Sequence, residues 1–153
     1  MADKSTSLGG VSVEIKGIDR FEQLLKQYGD KLGGALAVAL YEEGTLIMTD
    51  SKDNYVPVDQ GTLKDSGHVM EPRLEGTELI VELGYGGPAA PYALSVHENP
   101  RSGKTEGISP SGRKYKHWAA VGQWKYLEIP FKNASRGMSQ RIADRAARVL
   151  GGG

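Results

Sequence analysis

Three histidines, His68, His97 and His117, are the side chains best suited to proton transfer or metal binding. His97 is followed directly by Glu98, so an imidazole and a carboxylate stand side by side. A zinc site or an acid–base pair needs ligands at fixed spacing, such as His-Glu-x-x-His on a helix or paired cysteines. The chain has neither that histidine spacing nor any cysteine. Ser66 offers a hydroxyl, but Asp65-Ser66-Gly67 is not the Gly-x-Ser-x-Gly elbow that exposes a serine nucleophile. Gly84-Tyr85-Gly86-Gly87 has the glycine density of a phosphate cradle, yet no Lys-Ser/Thr follows it. These residues predict no catalytic centre, no cofactor and no metal.

A stronger signal is structural. In Val56-Pro57-Val58-Asp59-Gln60-Gly61-Thr62-Leu63-Lys64-Asp65-Ser66-Gly67, Pro57 fixes φ and stops a preceding helix, while Gly61 can take the positive φ that a Cβ resists. Asp59 can accept hydrogen bonds from backbone N–H groups two residues on, and Thr62 and Ser66 can cap the following extended segment. The string reads as a rigid bend that carries a helix into a sheet. A second segment, Tyr92-Ala93-Leu94-Ser95-Val96-His97-Glu98, returns an aromatic ring, an imidazole and a carboxylate. Tyr92 and His97, with Glu98, are expected to hydrogen-bond locally and hold the bend against the sheet.

Other elements must position these two segments. Val11 to Lys16 alternates apolar and polar residues, predicting a strand that ends at Gly17. Asp19 with Glu22 resembles a capping box, and Phe21, Leu24, Leu25 and Tyr28 then share a helical face. A longer helix is expected from about Lys31, with Leu32, Leu36, Leu40 and Ile47 on one stripe and Ala35 and Ala39 beside it. It must end before Pro57, because the residue preceding a proline is pushed out of the α region. His68 to Leu74 and Glu78 to Gly84 read as two strands around Glu75-Gly76-Thr77, and Tyr92 to Glu98 as a short helix. Pro130 is suited to begin a last helix, with Phe131, Ala134, Met138, Ile142, Ala146 and Val149 on its apolar face.

The chain has 153 residues, enough for one domain with a real core, and 39% are hydrophobic. Residues 1–10 read as a flexible arm, 11–150 as a single domain and 151–153 as a flexible tail. No apolar run approaches the roughly 20 residues that span a bilayer, and Met1 to Leu8 lacks the apolar core of a signal peptide. A protein made in the cytoplasm without a membrane partner is expected. Charge is polarised: residues 1–100 carry 8 Lys/Arg against 16 Asp/Glu, and residues 101–153 carry 11 against 3. Either the two halves neutralise each other within one subunit, or opposite faces attract neighbouring copies. The loop at 99–117 holds Arg101, Lys104, Arg113, Lys114 and Lys116, and the last helix bears Arg141, Arg145 and Arg148. An acidic protein neighbour, a solvated face and direct contact with DNA are the three readings of these cations.

The bend string, the Ala/Leu-rich helix before it, the later Tyr-Ala-x-x-Val-His-Glu and the helix start Tyr126-Leu127-Glu128 together resemble the head-to-tail joining, or tail-completion, proteins of long-tailed bacteriophages. The resemblance spans roughly Ile18 to Leu150. It departs at Gln60, where the family usually has Thr, and in the greater length of the 99–116 loop. It implies an α+β domain in which a small, mostly antiparallel sheet is covered by a long helix from the N-terminal half and by a C-terminal helix. It further implies a homo-hexameric ring in the virion neck, between a head-side connector or stopper and the tail tube with its terminator. DNA would pass through the lumen without sequence-specific binding. A tail terminator is the nearest alternative, and a small DNA-binding protein is the alternative from another class.

Overall fold

Alternation of Val11, Val13 and Ile15 with Ser12 and Glu14 produces strand β1 (Val11–Ile18), which continues through Gly17 with a register irregularity there instead of stopping. The computed structural model describes residues 9–18, 26–27, 29–76, 78–103, 107–108, 111–115 and 121–151. Asp19, Phe21, Glu22, Leu24, Leu25 and Tyr28, read above as a capped helix, lie outside the described residues. After Gly29, at φ 81°, comes the long helix α1 (Asp30–Asp50). Its final stretch, Ser51–Tyr55, widens into a π-helical turn and ends at Val56, whose extended ψ of 132° is what the following proline demands.

Past the bend lie α2 (Thr62–Asp65), β2 (His68–Val69), β3 (Arg73–Glu75) and β4 (Glu78–Tyr85). Short helix α3 (Ala93–Glu98), the small hairpin β5 (Gly107–Ile108) and β6 (Lys114–Tyr115), then α4 (Glu128–Ser135) and α5 (Met138–Gly151) complete the order. The architecture is α+β, as the resemblance implies. Strand β4 is central, antiparallel to β1 on one side and to β2 and β3 on the other. The expected single strand from His68 to Leu74 is divided. Met70 still donates its N–H to Glu82 O at 2.7 Å, but Pro72 has no N–H to give to the ladder.

One face of the sheet, with Val11, Val13, Ile15, Leu79, Val81, Leu83 and Tyr85, packs beneath α1. Gly44 permits this approach: a Cβ there would lie 3.1 Å from Val81 and 3.3 Å from Val69. A residue that costs helix propensity therefore returns close contact. The other face of β4 is buried too, and Glu82 stands directly opposite Glu14. Arg73 lies between these carboxylates, 3.3 Å from Glu14 and 3.6 Å from Glu82.

The single last helix expected from Pro130 to Val149 is broken. Arg136 is extended at ψ 120° and Gly137 takes φ 70°, which separates α4 from α5. Arg141 reaches back and donates to the carbonyls of Ala134 and Arg136, so it satisfies the acceptors exposed by the break. Pro130 is the third residue of α4, still in the first turn where its missing N–H costs nothing. Gly9 and Gly10, read as part of a flexible arm, are built into the fold. Gly10 is buried, and Gly9 accepts a hydrogen bond from Leu94 N at 2.7 Å. At the other end, Gly151 still belongs to α5.

Helix α5 runs along α1, and a buried carboxylate joins them. Glu43 is nearly inaccessible and accepts from both Arg141 and Arg145, with Arg141 Nε at 2.9 Å. Two guanidinium groups on one carboxylate make its burial tolerable. Arg145→Ala is expected to lower the unfolding free energy by about 2 kcal/mol, less than the full loss for a stripped buried ion because Arg141 remains. Adding Arg141→Ala should cost more than the sum of the single changes. Urea titration of the two single variants and the double variant checks this; additive losses would contradict it.

Candidate functional site

The bend and α3 come together in space. Pro57, Gly61, Leu63, Tyr92 and Val96 line one groove of about 380 Å³, with Asp59, Gln60 and Thr62 at its polar edge. Val56 and Pro57 are buried, and Gly61 takes φ 87°, the left-handed conformation expected of it. The turn is closed differently from the sequence expectation. Asp59 is exposed and makes no hydrogen bond among the described residues. Thr62 begins the one-turn helix α2, so the segment after Gly61 is helical and not extended. Closure comes from Asp65 N on Gly61 O at 2.9 Å and from Ser66. The Ser66 hydroxyl donates to Leu63 O at 2.7 Å and accepts from Gly86 N at 3.1 Å, which fastens α2 to the end of β4.

Tyr92 and His97 do not hold the bend as expected. Tyr92 is 42% exposed and forms a wall of the groove, with no side-chain hydrogen bond to the turn among the described residues. His97 is buried and points to the start of α4, where its Nε2 accepts from Glu128 N at 3.3 Å. Because Nε2 accepts, the ring proton is on Nδ1, which donates to Glu98 at 3.1 Å. Glu98 is exposed and also takes a hydrogen bond from Lys125. The bend is held by a different segment. Gln123 N donates to Tyr55 O at 2.8 Å, and Gly122, at φ 91°, lies flat on Pro57. A Cβ on Gly122 would be 2.4 Å from Pro57 Cα, and one on Gly103 would be 2.2 Å from Gly122 O.

Against α3 lies a buried polar cluster that the sequence analysis did not single out. Ser51, in the π-helical turn, donates its hydroxyl to Tyr126 O at 2.5 Å and accepts from the Tyr85 hydroxyl at 2.7 Å. Tyr126 donates to Ala93 O at 2.6 Å. Its ring meets Tyr85 edge-on at 5.0 Å and His97 at 4.9 Å. Burial pushes both phenol pKa values well above the ordinary tyrosine value, so both hydroxyls stay protonated and act as donors. Ser51 had a visible signal: it lies one turn beyond Ile47 on the apolar stripe of α1, where a polar side chain needs a partner.

Among the described residues, no three His, Cys, Asp or Glu side chains converge into a metal-ligating group. No helix there is long and apolar enough to cross a membrane. The candidate contact cations fall into separate sets. Arg141 and Arg145 are committed to Glu43, whereas Arg148 on α5 is exposed and makes no ion pair among the described residues. Arg101 and Arg113 are exposed, Lys114 lies in β6, and Lys104, Lys116 and His117 are outside the described residues.

Comparison with family models, with curated proteins and with solved structures found no match to this chain.

Ser51→Ala would strand the Tyr85 hydroxyl and the Tyr126 carbonyl in a buried site. It is expected to cost about 2–4 kcal/mol, against about 1 kcal/mol for Tyr126→Phe, in chemical denaturation. His97 gives a pH dependence of known sign. Burial lowers its pKa from 6.5 in spite of Glu98, so the folded state resists protonation more than the unfolded chain. Its contribution is full above pH 6.5 and is lost progressively as the pH falls below that value. The Lys125 hydrogen bond lowers the Glu98 pKa from 4.5, so a second loss sets in below pH 4.5. Unfolding midpoints between about pH 8 and pH 5 should fall in the wild type and change less in His97→Gln. Equal slopes would exclude His97 as the source.

Proposed function

We propose that this chain is a structural protein of the neck of a long-tailed bacteriophage. In this reading, copies form a ring, hexameric by the resemblance, that completes the tail and joins it to the head connector. The observation that carries the proposal is the pairing of the two resemblance-bearing segments. Val56–Gly67 and Tyr92–Glu98 are far apart in sequence, yet Pro57, Leu63, Tyr92 and Val96 wall a single groove. The α+β architecture that the resemblance implies gives further support.

The chain would act by shape and not by turnover. One face of the ring meets the head-side connector or stopper, the other meets the tail tube or its terminator, and DNA passes through the lumen. The bend supplies a rigid surface for these contacts, because Gly122 packs against Pro57 and Ser66 ties the bend to the end of β4. The exposed side chains of Asp59, Gln60 and Tyr92 are then available at the rim.

A conditional nonsense allele of the gene in its parent phage tests this. Under non-permissive conditions, filled heads and finished tails of normal length should accumulate unjoined, and immunogold label should mark the head–tail vertex of wild-type virions. Tails of uncontrolled length would favour a terminator instead. Joined, infectious particles lacking the chain would overturn the proposal.

A further inference from the structure

Among the described residues, nothing covers the outer face of α1. Val38 is 44% exposed, Tyr41 39% and Leu46 53%, and they floor an open groove of about 880 Å³. The segment Glu71–Pro72 forms one wall and Arg145 the other. An apolar surface of this kind, rimmed by charge, is the usual sign of a contact site. The charge available at its rim is negative. Glu71 makes no ion pair among the described residues, and Glu42 is half-exposed and only 3.8 Å from Arg145, which is already committed to Glu43.

The complementary feature lies on the same side of the molecule. On α5, Ile142 and Ala146 are buried, but Val149, the next residue on that face, is 47% exposed and Leu150 is 46% exposed. The apolar stripe of α5 thus continues beyond the part that the fold covers. Arg148, beside it, is an exposed cation without an ion pair among the described residues. Glu42 and Arg145, which line the α1 groove, also line the small cleft containing Arg148 and Val149. An apolar, acidic-rimmed groove and an apolar, basic-tipped helix end are therefore neighbours on one face.

We propose that two copies of this chain pair through this face, each seating Val149 and Leu150 of α5 in the α1 groove of the other. Arg148 of each copy meets the Glu42 and Glu71 rim opposite. Two adjoining, complementary features generate a reciprocal two-fold contact, whereas a ring contact joins surfaces on different sides of the subunit. The pairing does not rest on the neck reading and stands or falls separately.

Sedimentation velocity on the full chain, from about 1 to 200 µM, reads the result directly. A monomer–dimer equilibrium is expected. Leu46→Asp and Val149→Asp should each weaken it at least tenfold while leaving the circular dichroism spectrum unchanged, since both side chains are exposed. Arg148→Glu should weaken it about fivefold, and adding Glu71→Arg in the same chain should restore most of the loss. A monomer at every concentration, or any oligomer indifferent to both aspartates, overturns the proposal.

Discussion

The end of the long helix, the end of the central strand and the short helix α3 must meet at one buried point, and each brings polar groups with it. Tyr126 satisfies that demand. Its carbonyl takes the Ser51 hydroxyl, its own hydroxyl goes to Ala93, and its ring lies edge-on between Tyr85 and His97. In a low-dielectric interior each of these bonds is strong when made and costly when missing. The cluster therefore sets the position of α3 relative to the bend, and with it the shape of the groove that the two segments form. The π-helical widening at Ser51–Tyr55 belongs to the same constraint, since Ser51 at its start is the side chain bonded to both tyrosines.

The polarised charge of the chain has a partly internal explanation. Glu43 from the acidic half receives Arg141 and Arg145 from the basic half, and the Glu98–Lys125 pair crosses the same divide. Neutralisation within one subunit thus accounts for the central cations of α5. Arg148 is the cation of that helix left facing outward, and it is the one beside uncovered apolar side chains.

Much of the secondary structure was legible because it follows from short-range rules. Alternation in β1, the apolar stripe of α1, the halt before Pro57 and the left-handed Gly61 all depend on neighbouring residues alone. The structure departs from the short-range expectation where a distant group decides the outcome. The break at Gly137 is invisible to an apolar periodicity that continues across it, because Arg141 closes the gap by capping carbonyls behind it. The sequence leads to the expectation that His97 supports the bend. The actual partner, Glu128 N, depends on where α4 begins. Ser51 and Glu43 were detectable as polar residues on an apolar stripe, but their partners were not, since nothing local in the sequence links them to Tyr126 or Arg141.

Gly103 and Gly122 lie backbone to backbone, with Pro57 against the second of them, so two points 19 residues apart in the chain are held at almost the same spot. Ser102 is tied to Val96 on the outgoing side and Gln123 to Tyr55 on the incoming side. The two ends of the 104–121 stretch are thus pinned side by side. Lengthening it adds only slowly growing loop-closure entropy and leaves the knot of contacts below untouched. Residues inserted between these two glycines therefore need not disturb the packing that holds Pro57.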